Sequence, residues 1–249
     1  MIPERSAGVQ SRSIVYAGND FSPYCSAEVI ERSANPIAAE VMGIPGRAGA
    51  EVVSAYVPPV DVRVKLFLDV GFKPDVVELA EVRHRIRSWL CTPGGGTLVL
   101  PDDPEREYQD ALLIAASAWS QLFESGECEV TFTLFDPIAY GALRIEREAS
   151  FEVGGTWKTL PEFRLVASSG SAVQVSCPAT GALLRVEYGF AGGEAVVVDC
   201  AEERVYVNDG DARDCVTLQS DFFALEPGAC TLAFSGVTYF ETRFRERWA

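Results

Sequence analysis

The chain has 249 residues, 48% of them hydrophobic and 23% charged, the balance of a globular protein with one large domain or two ordinary ones. No run approaches the roughly 18–20 apolar residues that a membrane-spanning helix needs, so no membrane partner is expected. With 36 acidic against 21 basic residues the formal net charge is −15, a surface that repels phosphate backbones and argues against nucleic acid as a partner.

The acidity belongs to both halves: 22 acidic and 13 basic residues through Glu148, hence −9, then 14 and 8, hence −6. Its local extreme is residues 101–136, with nine acidic residues and one basic, read first as a solvated face and second as an interaction patch. Seven cysteines (25, 91, 128, 177, 200, 215, 230) form no CxxC pair, and one histidine cannot complete a structural zinc site. Most sit among apolar neighbours and read as buried thiols reduced while the chain folds.

The opening MIPERSAGVQSRS lacks an apolar h-region and reads as a loose arm, not a secretory signal. Ile14, Val15 and Tyr16 then predict a strand, ended by Gly18-Asn19-Asp20. Three β segments follow up to Asp69, the first ending at Gly43 before a loop through Pro45-Gly46-Arg47-Ala48-Gly49. In the third, Val62, Val64, Leu66 and Leu68 alternate with Arg63, Lys65 and Phe67.

PDVVELAEVRHRIRSWLC places Val76, Leu79, Val82, Ile86 and Trp89/Leu90 on one face and predicts a helix over 75–91. Pro74 precedes it, and Asp75 with Glu78 supplies the analogue of a capping box. Arg83, Arg85 and Arg87 suit the negative end of its dipole, and Pro93-Gly94-Gly95-Gly96 stops it. TLVLP, YQDALLIAASAW and GECEVTFTLFDP are further strands, the last two joined by the short FESG. Asp136-Pro137 closes this region, because proline cannot extend a ladder. From Phe151, eight short strands with Gly, Asn, Asp or Pro turns start every 10–13 residues or so, which favours an antiparallel sandwich or barrel.

The chemistry-bearing patterns are weak. His84, the one histidine, lies between two arginines opposite the apolar helix face and reads as an exposed residue. The glycines at 94–96 follow a helix and precede a strand, the reverse of a phosphate cradle. PDDPE (101–105) and NDGDARD (208–214) cluster carboxylates, but without the ligand spacing of a calcium loop, and turn chemistry accounts for both. No acid pair for glycoside hydrolysis stands out. The residues therefore point to no enzyme, cofactor or metal. Among the aromatics of the second half, structural packing is the default reading, and Trp157, Tyr188 and Tyr206 are the candidates for a sugar-stacking platform.

Four pieces in order then carry a family likeness: IVYAGNDFSPY, the VMGIPGRAG loop, PDDPEREYQDALL after the helix, and EVTFTLFDPIAYG at the seam. In the second half the cues are GGTWKTLPEFRL, VVVDCAEERVYVNDG, SDFFALEPGACTLAFSG and the terminal Arg247-Trp248. Together they resemble the distal tail proteins of long non-contractile-tailed phages and prophages. The family has Asn after the Pro-Gly turn where this chain has Ala229-Cys230, a difference of turn geometry.

The resemblance implies a mainly β protein: an α+β amino-terminal domain, a β-sandwich with one helix, over 1–136, a connector over 137–150, and an all-β galectin-like sandwich over 151–249. It implies a homo-hexameric ring at the tail tip, made in the bacterial cytoplasm. Its partners would be the tail tube protein, a tail-tip or lysin-type protein, and a receptor-binding protein or glycan. A closed ring repeats one heterologous contact. Opposite charge makes Arg83, Arg85 and Arg87 against Asp102, Asp103 and Glu105 the candidate contact. The alternative from another class is a carbohydrate-binding module acting through the second half. A third, a polysaccharide-cleaving tail enzyme, lacks a pointed acid pair.

Overall fold

The computed structural model describes residues 13–33, 37–68, 76–117, 121–124 and 126–249. The chain divides into two compact units, Met1–Ala139 and Tyr140–Ala249.

The first unit contains, in chain order, β1 (Val15–Tyr16), β2 (Asn19–Asp20), β3 (Cys25–Arg32), β4 (Ala38–Gly43), β5 (Ala50–Tyr56), β6 (Val60–Leu68), α1 (Val76–Leu90), β7 (Gly96–Leu100), β8 (Asp103–Ser117), α2 (Gln121–Glu124) and β9 (Glu127–Leu134). Its strands pair antiparallel in the order β2-β1-β7-β8-β9-β6-β3. Between β1 and β9 lie three strand spacings, about 14 Å in a flat sheet. Yet the rings of Tyr16 and Phe132 have centroids 5.0 Å apart. The sheet therefore curls over its own core. β8 makes this possible: its first part pairs with β7, its second with β9, and Asp110 between them has φ of 51°.

Alternation works as expected in β6 and recurs in β9. Val62, Val64 and Leu66 are buried, as are Cys128, Val130 and Phe132, while Arg63 bridges Glu31 and Glu129 on the outer face. On α1, Val82, Ile86 and Leu90 are buried, and Trp89 packs against Phe21 and Tyr24. Pro74 and Asp75, the expected start of the helix, lie outside the described residues. At its other end Cys91 N–H donates to the Arg87 carbonyl and Thr92 Oγ1 to that of Trp89, so the last turn is satisfied before the glycines.

The second unit contains β10 (Ala139–Glu146), β11 (Ser150–Val153), β12 (Glu162–Ala167), β13 (Gly170–Cys177), β14 (Ala182–Phe190), β15 (Ala195–Asp199), β16 (Arg204–Val207), β17 (Gly210–Asp211), a 3-10 turn (Arg213–Cys215), β18 (Gly228–Thr231), β19 (Ala233–Ser235) and β20 (Val237–Trp248). One sheet runs β17-β16-β15-β12-β20-β10, a second β14-β13-β19, and β11 pairs with β18. One core joins them, with Phe163, Leu165, Val196 and Val205 from the first sheet against Val173, Val175, Leu184 and Val186 from the second. This is an antiparallel sandwich. The fold is mainly β, with open sheets and one long helix.

The stretch expected to be a connector contains β10, whose pattern is inverted. Leu143 and Ile145 face outward, whereas Arg144 turns in, over the Phe244 ring at 5.5 Å, and bridges Glu146 and Glu246. At the seam itself, Asp136 Oδ1 accepts the Ile138 N–H at 3.2 Å, the local turn that Asp-Pro favours.

The GGTW stretch has a structural cause. Thr156 and Trp157 N–H both donate to the Arg247 carbonyl, at 2.9 and 3.0 Å. A Cβ on Gly155 would lie 2.2 Å from that oxygen, and one on Gly154 2.6 Å from the Glu246 carboxylate. Only glycine lets this loop close on the end of β20.

Candidate interaction surfaces

The most distinctive surface is the β4–β5 hairpin. It pairs with no other described strand, and every residue of β5 is exposed. Val41, Met42, Val52, Val53 and Tyr56 are each more than half exposed, as is Ile37 at its base. Val41 stands directly across from Val52, and the register shifts beside them to accommodate Val53. Neighbouring residues of a strand point to opposite faces, so Val41 and Met42 make both faces apolar. A lone two-stranded hairpin is marginal in water, and exposed apolar area of this kind marks a contact surface.

Among the described strands β3 pairs only with β6, so its other edge is a sheet edge open to a further strand. An open cleft of about 340 Å³ runs along it, lined by Ala27, Val29, Ile30 and Arg32 with Pro101 and Asp102.

The charged candidates are placed as follows. Arg83, Arg85 and Arg87 are exposed on α1. Arg85 donates to Tyr24 Oη at 2.6 Å and lies over that ring, so it is held against its own unit. His84 is exposed beside them. Asp102 pairs with Arg32 at 2.9 Å, and Asp103 with Arg106 at 3.0 Å. Glu105 is exposed. Two of the three acids are thus engaged inside the chain.

The three aromatics do not form a platform. Tyr206 lies on β16, turned away from the core that Val205 and Val207 enter, whereas Tyr188 lies on β14 of the opposite sheet. Trp157 sits half-buried beside the end of β20. Tyr188 is 42% exposed and packs on Phe190, with ring centroids 5.1 Å apart.

Among the described residues no group of three or more His, Cys, Asp or Glu side chains is placed to hold a metal ion. In the second unit the turn acids act locally: Asp199 and Asp211 accept backbone N–H groups two or three residues on.

The hairpin's side chains were not legible as a surface. Adjacent apolar residues, Val41-Met42 and Val52-Val53, are the pattern of a strand buried on both faces. The signal that separates the two cases is the company: a Pro-Gly…Gly tip and Glu40 and Glu51 within the strands.

The first unit is thus a curled sheet with one long helix and an exposed apolar hairpin, and the second an antiparallel sandwich. Residues 154–248 match the family described as the siphovirus-type tail component, C-terminal domain. Over 228 residues the chain is 26% identical to the distal tail protein of Bacillus phage SPP1, covering 86% of this chain and 87% of that one. The crystal structure of SPP1 Dit, described as a paradigm of the hub adsorption apparatus in phages that infect Gram-positive bacteria, has the same fold. Its TM-score is 0.74 at 20% identity, over 95% of this chain and 98% of that one. Residues 154–248 thus match the carboxy-terminal domain of a siphovirus-type tail component, and the chain as a whole is similar in sequence and fold to a distal tail protein of such a tail.

Proposed function

We propose that the first unit closes a ring of six copies at the tail tip, and that the β4–β5 hairpin of each copy reaches the next. The observation that carries this reading is the hairpin itself: apolar on both faces, exposed along its length and unpaired with any other described strand. Covering a Val or Tyr side chain contributes about 1.5–3 kcal/mol, so several per copy around a ring supply a substantial driving force. The free edge of β3, with its cleft, is the complementary receiver on the neighbour, where a strand could be added by main-chain hydrogen bonds.

The ring would stack on the tail tube, with the second unit towards the tail-tip and adsorption proteins. The arginines of α1 and the 101–105 acids are a secondary contact in this scheme. Asp102 and Asp103 would have to exchange Arg32 and Arg106 for the neighbour's arginines, so their net contribution is small. Synthesis in the bacterial cytoplasm fits the free thiols.

The test is a double substitution, Val41→Asp with Val52→Asp. Both positions are exposed, so folding is expected to be unchanged by circular dichroism, while light scattering reports loss of the ring. A ring that survives both aspartates would remove the hairpin from the contact. Arg83→Glu with Arg87→Glu is expected to weaken assembly only at low salt, since exposed pairs are screened.

A further inference from the structure

One face of the larger sheet in the second unit enters the sandwich core, through Phe163 and Leu165 of β12, Val196 and Val198 of β15, Val205 of β16 and Phe244 of β20. Successive side chains of a strand point to opposite faces, so the residues between these share the other side. That side collects Arg164, Arg204, Arg243, Arg245 and Arg247. Arg147, just past β10, joins them by donating to Tyr239 Oη at 3.0 Å. These are six of the ten basic residues in Tyr140–Ala249, whereas of its sixteen acids the same side takes Glu162, Asp199 and Glu241. The face thus carries +3, and the rest of the unit, with four basic and thirteen acidic residues, carries −9.

The strand register lays the side chains out in rows. Arg204, Asp199, Glu162 and Arg243 stand opposite one another across β16, β15, β12 and β20, and beside them Tyr206, Val197, Arg164 and Glu241 do the same. Each carboxylate is already bonded within the chain. Glu162 receives Arg164 at 2.6 Å, Glu241 receives Arg147, Arg243 and Tyr239, and Asp199 receives the N–H groups of Ala201 and Glu202. The arginines remain reachable: the side chains of Arg147 and Arg164 are 65% and 47% exposed, and Arg204 is exposed. Tyr206 and the partly exposed Tyr239 flank Arg164, three strand spacings or about 14 Å apart across the sheet.

We infer that this face binds an acidic polysaccharide, a chain whose sugars carry carboxylates. The guanidiniums pair with the acid groups. The two phenol rings offer flat apolar surface to the C–H faces of the sugars, with their hydroxyls in water. A folded protein is the poorer occupant, because it would strip water from the Arg164–Glu162 and Glu241 ion pairs in the middle of the face, and desolvated ion pairs are costly. A sugar chain leaves them hydrated or replaces the water with its own hydroxyls. A bilayer or a nucleic-acid duplex is wider than the face and meets the acidic remainder of the unit; a slender chain lies within it. Of the three aromatics singled out in the sequence, Tyr206 alone takes part. The hairpin and the first unit contribute nothing to this site.

The experiment is calorimetric titration of the full purified chain with sodium polygalacturonate in calcium-free buffer. Methyl-esterified polygalacturonate keeps the sugar and loses the charge; poly-glutamate keeps the carboxylates and loses the sugar. The expected result is binding to polygalacturonate about tenfold or more tighter than to either comparison polymer, weakening as salt rises from about 0.01 to 0.15 M. Arg147→Gln with Arg164→Gln removes two charge-assisted contacts and is expected to weaken binding about tenfold. Tyr206→Ser is expected to weaken it several-fold. Arg185→Gln with Arg213→Gln removes the same charge from β14 and the 3-10 turn, outside the face, and is expected to leave binding unchanged. If a face variant fails to fold, the three polymers on the native chain decide. No binding of polygalacturonate at low salt, equal binding of either comparison polymer, or an equal loss in the Arg185, Arg213 variant would overturn the inference. Binding and particle mass are read separately, so failure of this site leaves the ring reading intact, and absence of the ring leaves the site.

Discussion

Glu241 shows how single residues hold the second unit together. Its carboxylate is only 6% exposed and receives the Arg243 guanidinium, Arg147 at 3.3 Å and Tyr239 Oη at 3.1 Å. These donors, Arg243 foremost, hold its carboxyl below the usual carboxylate range. The folded state thus favours the ionised form more than the unfolded chain does. The stabilisation is complete above the unfolded value of about 4.3 and is lost as pH falls through the lower folded value. Glu241→Gln is expected to lower the thermal midpoint at pH 7, with a gap to the native chain that narrows below about pH 4. A gap constant across a pH series would contradict this.

Gly155 tests backbone geometry at the same scale. It has φ of 94° and no room for a Cβ, whereas Gly181, with φ of 75°, meets nothing within 4 Å. Gly181→Ala is expected to cost about 1 kcal/mol from conformation alone. Gly155→Ala should cost about 3 kcal/mol or more, because the clash falls on backbone. Denaturant melts of the two variants measure the difference, and equal midpoints would show that the loop can yield. The sequence displays Gly154-Gly155 openly, but their reason lies with Glu246 and Arg247, some ninety residues away, so no local pattern could reveal it.

At the scale of elements, legibility followed burial. α1 and β6 were readable because each sets one apolar face against a core, so 3.6-residue and two-residue periods reach the sequence intact. β10 was not, because in its second half the exposed side chains, Leu143 and Ile145, are apolar and the partly covered ones, Arg144 and Glu146, are charged. The hairpin strands were readable as strands, but their destination was not, since exposed and twice-buried strands share one pattern. This contrast yields a prediction. Ile86→Ala removes a fully buried side chain and is expected to cost about 2–5 kcal/mol. Val53→Ala on the hairpin is expected to change the stability of the isolated chain by less than about 0.5 kcal/mol while weakening assembly. Chemical denaturation and light scattering on both variants separate the two roles.

At the scale of the whole molecule, the family likeness was carried by the order of several short motifs, each uninformative alone. The sandwich was legible from regular turns, while the curl of the first sheet depends on β8 changing partners, which no single segment encodes. Of the candidate site residues, the arginines and acids were visible as charge, but Arg32 and Arg106 claim two of the acids within the chain. A net charge of −15 opposes association of copies. The driving force for a ring must therefore come from apolar contact more than from charge.

The most direct measurement of that claim is the mass of the purified chain by light scattering across a concentration series at physiological salt, with negative-stain images of the same sample. The account predicts a particle of six chains around a central opening, lost in the Val41→Asp, Val52→Asp variant. A particle of one chain at every concentration, with the hairpin intact, would contradict it.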